Sequence, residues 1–211
     1  MGSTPHVVAR VLRHCGRVSA SPYSGAMSRS TDKLAYMVFP TAIGHCALVW
    51  DESGAVVGST LPLGGAQQVR QAVLRWYPGV VEADPPTSVA DAAAQVRSLL
   101  DDGTGDLADV PLDMDGVPGF DRRVYEVVRG IPPGQTLTYG EVATRLGAPG
   151  AAQAVGQALG RNPFPPIVPC HRVLAAGRKV GGFSARGGPR TKLRMLETEG
   201  VYLEQPTLFD L

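Results

Sequence analysis

Cys170 stands directly beside His171, and the pair follows an apolar, proline-rich run, Pro165-Pro166-Ile167-Val168-Pro169. A thiol becomes a potent nucleophile once it loses its proton, and imidazole is the side chain best suited to take that proton near neutrality. The pattern therefore points to attack by sulfur on an electrophilic carbon. The bland alternative is a buried structural cysteine with a surface histidine beside it. Proline fixes φ and carries no amide donor, so residues 165–169 are expected to form a stiff, extended rod that holds Cys170 in one place. The pairs His14-Cys15 and His45-Cys46 repeat the adjacency. Their spacing fits no zinc pattern, so no metal site is expected.

The rest of the chain must position this pair. With 211 residues, 44% hydrophobic and 18% charged, it has the make-up of a soluble globular protein of one large or two small domains. No uninterrupted apolar run reaches the length of a membrane span, so a membrane partner is not expected. Three scattered cysteines give no disulfide framework, and one thiol in a reactive setting suits a reducing, cytoplasmic compartment. The net charge of +1 hides an asymmetry. Residues 38–119 carry three Lys/Arg against eleven Asp/Glu, whereas residues 120–200 carry twelve against five. A basic half is the electrostatic footprint of a nucleic-acid binder, although simple surface solvation gives the same count.

Residues 1–34 hold Arg, Ser and Gly with little periodicity. They read as a disordered extension or an upstream start before Met27, with an Arg-rich transit peptide as the other reading. Residues 35–39, 45–50 and 55–60 read as strands, the last two joined by the turn Asp51-Glu52-Ser53-Gly54. Residues 64–77 read as a helix with Val69, Val73 and Trp76 on one face. A second helix is expected from Ser88, with Asp91 completing a capping-box variant and Val89, Ala92, Ala93, Val96, Leu99 and Leu100 inward. The expected layout is an α/β domain over 35–115, a mainly helical domain over 116–203 entered through Gly116-Val117-Pro118-Gly119, and a tail over 204–211.

In the second half, residues 120–129 read as a helix ended by Gly130 and Pro132-Pro133-Gly134. Thr138 with Glu141 is a capping box opening a short helix to Leu146. After the turn Gly147-Ala148-Pro149-Gly150, residues 151–160 form another helix, which makes a helix-turn-helix pattern. That last helix carries Ala151, Ala152, Ala154, Gly156, Ala158 and Gly160. So smooth a surface suits close approach to a narrow groove with little base readout, or else tight helix packing.

Asn162-Pro163 and Pro-Cys-His-Arg-Val, behind a helix-turn-helix and ahead of Gly181-Gly182-Phe183-Ser184, resemble the O6-alkylguanine-DNA alkyltransferases, the methylated-DNA–protein-cysteine methyltransferase family. The resemblance spans roughly residues 38–200. It implies a ribonuclease H-like first domain, a small antiparallel sheet with helices, and a winged-helix-like second domain. It also implies double-stranded DNA carrying O6-alkylguanine as partner, bound through the minor groove by a monomer, with the damaged nucleotide flipped out. O4-alkylthymine is a second candidate substrate. By the same resemblance Cys170 takes the alkyl group once and irreversibly, His171 acts as base through a water, Glu199 orients His171, and Asn162 braces the backbone. Tyr139 crowds the phosphate and Gln153 fills the vacated stack, with Ala151, Ala152, Gly156 and Arg161 also at the DNA. Leu159, Val173, Phe183 and Ser184 line the guanine pocket. No cofactor is needed.

Three departures stand out. Gln153 replaces the usual arginine, and Phe183 replaces a frequent tyrosine. The segment 185–189 runs about two residues long, so the choice of Glu199 over Glu197 rests on a gap. Two rivals are a lesion-binding relative that does not repair, which would lack the cysteine, and a Cys-His hydrolase, which would draw the two residues from separate segments.

Overall fold

A computed structural model describes residues 34–185 and 187–203. The readings made for residues 1–33, including Cys15 and Met27, and for the tail lie outside the described residues. Strands β1 (Ala35–Thr41), β2 (Gly44–Trp50) and β3 (Val56–Thr60) form an antiparallel meander. Side chains alternate across it. Tyr36, Ala47 and Val49 pack under helix α1 (Ala66–Trp76) with its Val69 and Val73, while Phe39, Cys46, Leu48, Trp50 and Val56 face the larger core. Because both faces are covered, the central strand β2 reads as nearly continuous apolar sequence rather than a clean alternation. Cys46 is fully buried there as a small hydrophobe. Among the described residues no group of three His, Cys, Asp or Glu side chains could hold a metal, and no helix is long and apolar enough to cross a membrane.

The sheet is mixed rather than purely antiparallel. A two-residue strand, β4 (Val81–Glu82), lies parallel to β1 at its edge, in the order β3-β2-β1-β4. Such a strand is too short to leave a period in the sequence. It is fastened instead by side chains, since Arg70 forks onto Glu82 at 2.7–3.1 Å and the Tyr36 hydroxyl donates to Glu82 at 3.2 Å. Helix α2 (Thr87–Asp102) buries the six residues expected of it. The capping box expected at Ser88 and Asp91 does not form. Pro86 takes the N-cap place in extended backbone, and its carbonyl accepts from the Val89 and Ala90 amides, so the helix begins one residue early, without a side-chain cap.

Helix α3 (Gly119–Arg129) follows the glycine-rich turn and buries Val124, Tyr125 and Val128. A two-residue strand β5 (Leu137–Thr138) leads into α4 (Tyr139–Arg145), where both bonds of the Thr138–Glu141 capping box are made. Then come α5 (Ala152–Gly160), the strand β6 (Val173–Leu174), parallel to β5, and α6 (Pro189–Thr198). One apolar core runs from the sheet through α2 into α3, α4, α5 and α6. Arg129 links the two halves, donating to the carbonyls of Leu107, Ala108 and Val110.

The end of α2 also touches α6. Gly103 caps α2 at φ +79°, and a Cβ there would collide with the Thr198 carbonyl, next to Glu199. Gly103→Ala is expected to destabilise the protein by at least ~1 kcal/mol from the left-handed backbone alone, and further by displacing α6. Urea unfolding checks this; an unchanged midpoint would contradict it.

Candidate active site

The segment before Cys170 is a folded loop, not the extended rod expected from its prolines. Proline restricts φ but does not keep a chain straight, and here one side chain bends it. Asn162, buried just past the end of α5, accepts from the Phe164 amide at 2.9 Å and donates to the Val168 carbonyl at 2.8 Å. The Val168 amide closes the turn onto the Phe164 carbonyl at 2.7 Å. Phe164 is anchored edge-on against Tyr125, whose hydroxyl donates to Ala158 of α5 at 2.9 Å. Cys170 opens a single 3-10 turn, Cys170–Arg172, that turns His171 inward.

His171 is fully buried, with Nε2 2.8 Å from Glu199 Oε1. The Arg172 Nε donates to both Glu199 oxygens at 3.1 and 3.0 Å, its Nη2 to Oε1 at 2.9 Å, and its Nη1 to the Ile131 carbonyl at 2.6 Å. The Gly134 amide completes the set at 3.2 Å from Oε2. Burial alone pushes Glu199 upward, but the hydrogen bonds from His171 and Arg172, the Arg172 charge and, once His171 is protonated in acid, its charge too outweigh it and hold the carboxyl at about 2. Burial pushes His171 below its ordinary value against the pull of Glu199, with Arg172 and Lys192 adding to the depression. A neutral imidazole has one donor and one acceptor nitrogen. Nε2 faces an ionised carboxylate, so it carries the hydrogen and Nδ1 carries the lone pair. Nδ1 is buried and meets no hydrogen-bond partner among the described residues. The imidazole is left with an acceptor nitrogen that no described residue engages.

Burial pushes the Cys170 thiol upward; the Asn162 amide, the Lys192 charge and the Cys170 and His171 amides pull the other way without overcoming it. The resting group is a thiol that needs a base. Lys192 is fully buried on α6, donates to the Val173 carbonyl at 2.5 Å, and sits 5.8 Å from the Tyr139 ring centre and 6.0 Å from that of Phe183. Burial lowers its ammonium to about 8, with Cys170 pulling it back up. Tyr139 is wedged close to both Gly156 and Gly181. Thus Cys170, His171, Asn162, Glu199, Tyr139, Phe183 and Val173 gather around Lys192 and the 3-10 turn. Leu159 and Val173 are buried, Phe183 is half-buried and Ser184 exposed.

Helix α5 divides cleanly. Val155, Ala158 and Leu159 face inward, whereas Gln153, Gln157 and Gly160 are exposed, with Ala151, Ala152 and Gly156 partly so. The small residues serve packing on the inner side, where Ala158 is fully buried, and leave the outer stripe smooth; a Cβ at Gly156 would meet the Tyr139 ring only at ordinary contact distance. Arg161, expected at DNA, is half exposed but forks onto buried Asp121 at 3.0 Å through two nitrogens. The basic excess is likewise partly consumed within the fold, because Arg122, Arg129, Arg161, Arg172 and Lys192 all hold internal partners. Arg145, Arg178, Lys179 and Arg190 lie exposed.

The sequence reading missed Arg172 and Lys192 as parts of the site, and Gln157 on the outer stripe. One signal was available. Lys192, Met195, Leu196 and Glu199 recur at helical spacing along α6 and its end, which places two charges on an apolar face. The same spacing selects Glu199 over the exposed Glu197.

The family model for the DNA-binding domain of 6-O-methylguanine DNA methyltransferase matches residues 119–201, the half that holds this network. The methylated-DNA–protein-cysteine methyltransferase of Methanothermobacter thermautotrophicus is 42% identical over 123 residues, 58% of this chain and 68% of that protein. Its counterpart in Mycobacterium leprae is 43% identical over 124 residues, 57% of this chain and 72% of that protein. The crystal structure of Mycobacterium tuberculosis OGT in complex with DNA matches with a TM-score of 0.60 and 32% identity, over 78% of this chain and 92% of that one. The chain belongs to the methylated-DNA–protein-cysteine methyltransferase family.

The network makes stability depend on acid. A carboxyl held at about 2 against an ordinary 4.5 contributes roughly 3 kcal/mol above pH 4.5, lost as the pH falls through that window. His171, lowered from 6.5, acts with the same sign, since the unfolded chain takes its proton first. Glu199→Gln is expected to lower stability at neutral pH and to flatten the decline between pH 4.5 and 2. Urea titrations at stepped pH check this; parallel curves for the two proteins would contradict it.

Proposed function

We propose that the protein repairs DNA directly, by irreversible transfer of the alkyl group from O6 of guanine to Cys170 in a flipped-out nucleotide. The observation that carries this reading is the buried imidazole of His171, pinned by Glu199 at Nε2 and open at Nδ1, next to a thiol that resists ionisation. A water between Nδ1 and the thiol takes the Cys170 proton as sulfur attacks and hands one of its own to Nδ1, so that His171 ends as the imidazolium. The S–C bond forms in line as the C–O6 bond breaks, and the electron pair passes onto the guanine, which is then protonated. The resulting thioether is stable, so each molecule acts once.

The other roles follow from position. The carbonyls of Cys170 and Val173 accept from the guanine amine, and the Lys192 bond fixes the second of them. Leu159 and Phe183 wall the pocket, and the Ser184 amide faces O6. The smooth outer stripe of α5 lies in the minor groove of double-stranded DNA with Ala151, Ala152 and Gly156 at the surface. Gln153, exposed in the first turn, fills the vacated stack, while Tyr139 beside Gly156 crowds the phosphate. Arg161, tied to Asp121, serves the groove only through its exposed half. The antiparallel meander with α1 and α2 on opposite faces supports a ribonuclease H-like first half, and α4–α5 beside β5–β6 a winged-helix-like second half. A single chain carries the full set of roles, so we infer a monomer working at the chromosome.

Intact mass after incubation with a duplex carrying O6-methylguanine tests the reaction. One added methyl on the wild type and none on Cys170→Ala, with duplex binding retained in the variant, is the expected result. Binding without a mass change in the wild type would indicate lesion recognition alone, and turnover would indicate a hydrolase. Gln153→Arg is expected to tighten binding to the lesion duplex by about 1.5–3 kcal/mol through a charge-assisted bond, leaving the rate with free O6-benzylguanine unchanged. An equal rise in both would place Gln153 elsewhere.

A further inference from the structure

We infer that Ser59, on β3 in the first half of the chain, is a positioning residue for the nucleophile in the second half. Its amide donates to the Pro163 carbonyl at 2.9 Å and its hydroxyl to the Pro165 carbonyl at 2.7 Å. These are alternate carbonyls of the loop that runs into Cys170. Ser59 is only 6% exposed, so water does not compete for these bonds.

The loop depends on such outside support. Pro163, Pro165, Pro166 and Pro169 have no amide hydrogen, so the segment cannot fasten itself by a backbone ladder. Asn162 holds the loop from the α5 side, through Phe164 and Val168. Ser59 holds it from the sheet side, through Pro163 and Pro165. The strand beneath is itself fixed, because Ser59 pairs with Leu48 of the central strand and the Thr60 hydroxyl accepts from the Ala47 amide at 2.9 Å. The loop is therefore clamped between two rigid supports, and one is in the half of the chain that carries none of the reacting groups. In-line displacement at carbon tolerates little misplacement of sulfur. Ser59 thus acts on the reaction through the loop, without touching DNA or the thiol.

This inference rests on Cys170 being the alkyl acceptor, and the test separates the two ideas. Wild type, Ser59→Ala and Ser59→Thr are compared for single-turnover alkyl transfer from a methylated duplex and from free O6-benzylguanine, for duplex affinity, and for Tm. Ser59→Ala is expected to slow both transfers by the same factor, about tenfold, because the sulfur rather than the flipping step is displaced. Duplex affinity should stay the same, and Ser59→Thr, which keeps the hydroxyl, should restore the rate. Should Ser59→Ala unfold at the assay temperature, Ser59→Cys keeps the volume with a weaker donor and should give an intermediate rate. Wild-type rates in Ser59→Ala, or a loss confined to duplex affinity, would overturn the inference. If the wild type itself takes up no alkyl group, the alkyl-transfer reading fails instead.

Discussion

The buried carboxylate of Glu199 is the constraint on which the rest of the site depends. Taking an ionised carboxylate out of water costs several kcal/mol unless partners replace the water. Here Arg172 presents its fork, Gly134 its amide and His171 its Nε2 hydrogen. Arg172 is in turn held by the Ile131 carbonyl, so the charge pair is satisfied on both sides. The consequence reaches the chemistry directly. An acceptor-only carboxylate forces the imidazole hydrogen onto Nε2, which leaves the lone pair on Nδ1. Without Arg172, one carboxylate would attract the His171 proton more strongly and favour a charged, useless imidazolium; the guanidinium keeps Glu199 an orienting group.

The second constraint comes from proline. A loop rich in proline offers carbonyls but few amides, so it must be gripped through its oxygens. Asn162 and Ser59 do this from opposite sides, and Phe164 fills the space beneath. The two halves of the chain therefore share one core, and contacts cross between them at Ser59, Arg129 and Gly103. The first half holds none of the reacting groups, yet its sheet and the end of α2 bear on the nucleophile loop and on the end of α6 that carries Glu199.

The sequence was legible wherever one residue type had one structural meaning. Short apolar runs bounded by turn residues marked β1 to β3, helical spacing marked the buried face of α2, and Thr138 with Glu141 marked the start of α4. The strands β4, β5 and β6 have two residues each, which is too few for a period to register. The proline run misled because φ restriction was read as straightness, while the actual path is set by the Asn162 side chain eight residues ahead of Cys170. Cys170 and His171 were visible as neighbours; their partner Glu199 was reached through a gap and is joined to them only by folding. Arg172 was hidden in plain sight, since an arginine beside a histidine gains meaning only when a carboxylate is brought to both. Lys192 was read as one more basic residue, although its place on an apolar face of α6 pointed inward.

The central claim is that His171 rests as a neutral imidazole with its hydrogen on Nε2 and its lone pair on Nδ1. Nitrogen-15 NMR of the ring at neutral pH reads this directly, using protein labelled at histidine and the His171 signals assigned by substitution. A protonated-type shift at Nε2 and an unprotonated-type shift at Nδ1 are expected. A hydrogen on Nδ1, or two protonated nitrogens at neutral pH, would contradict the claim.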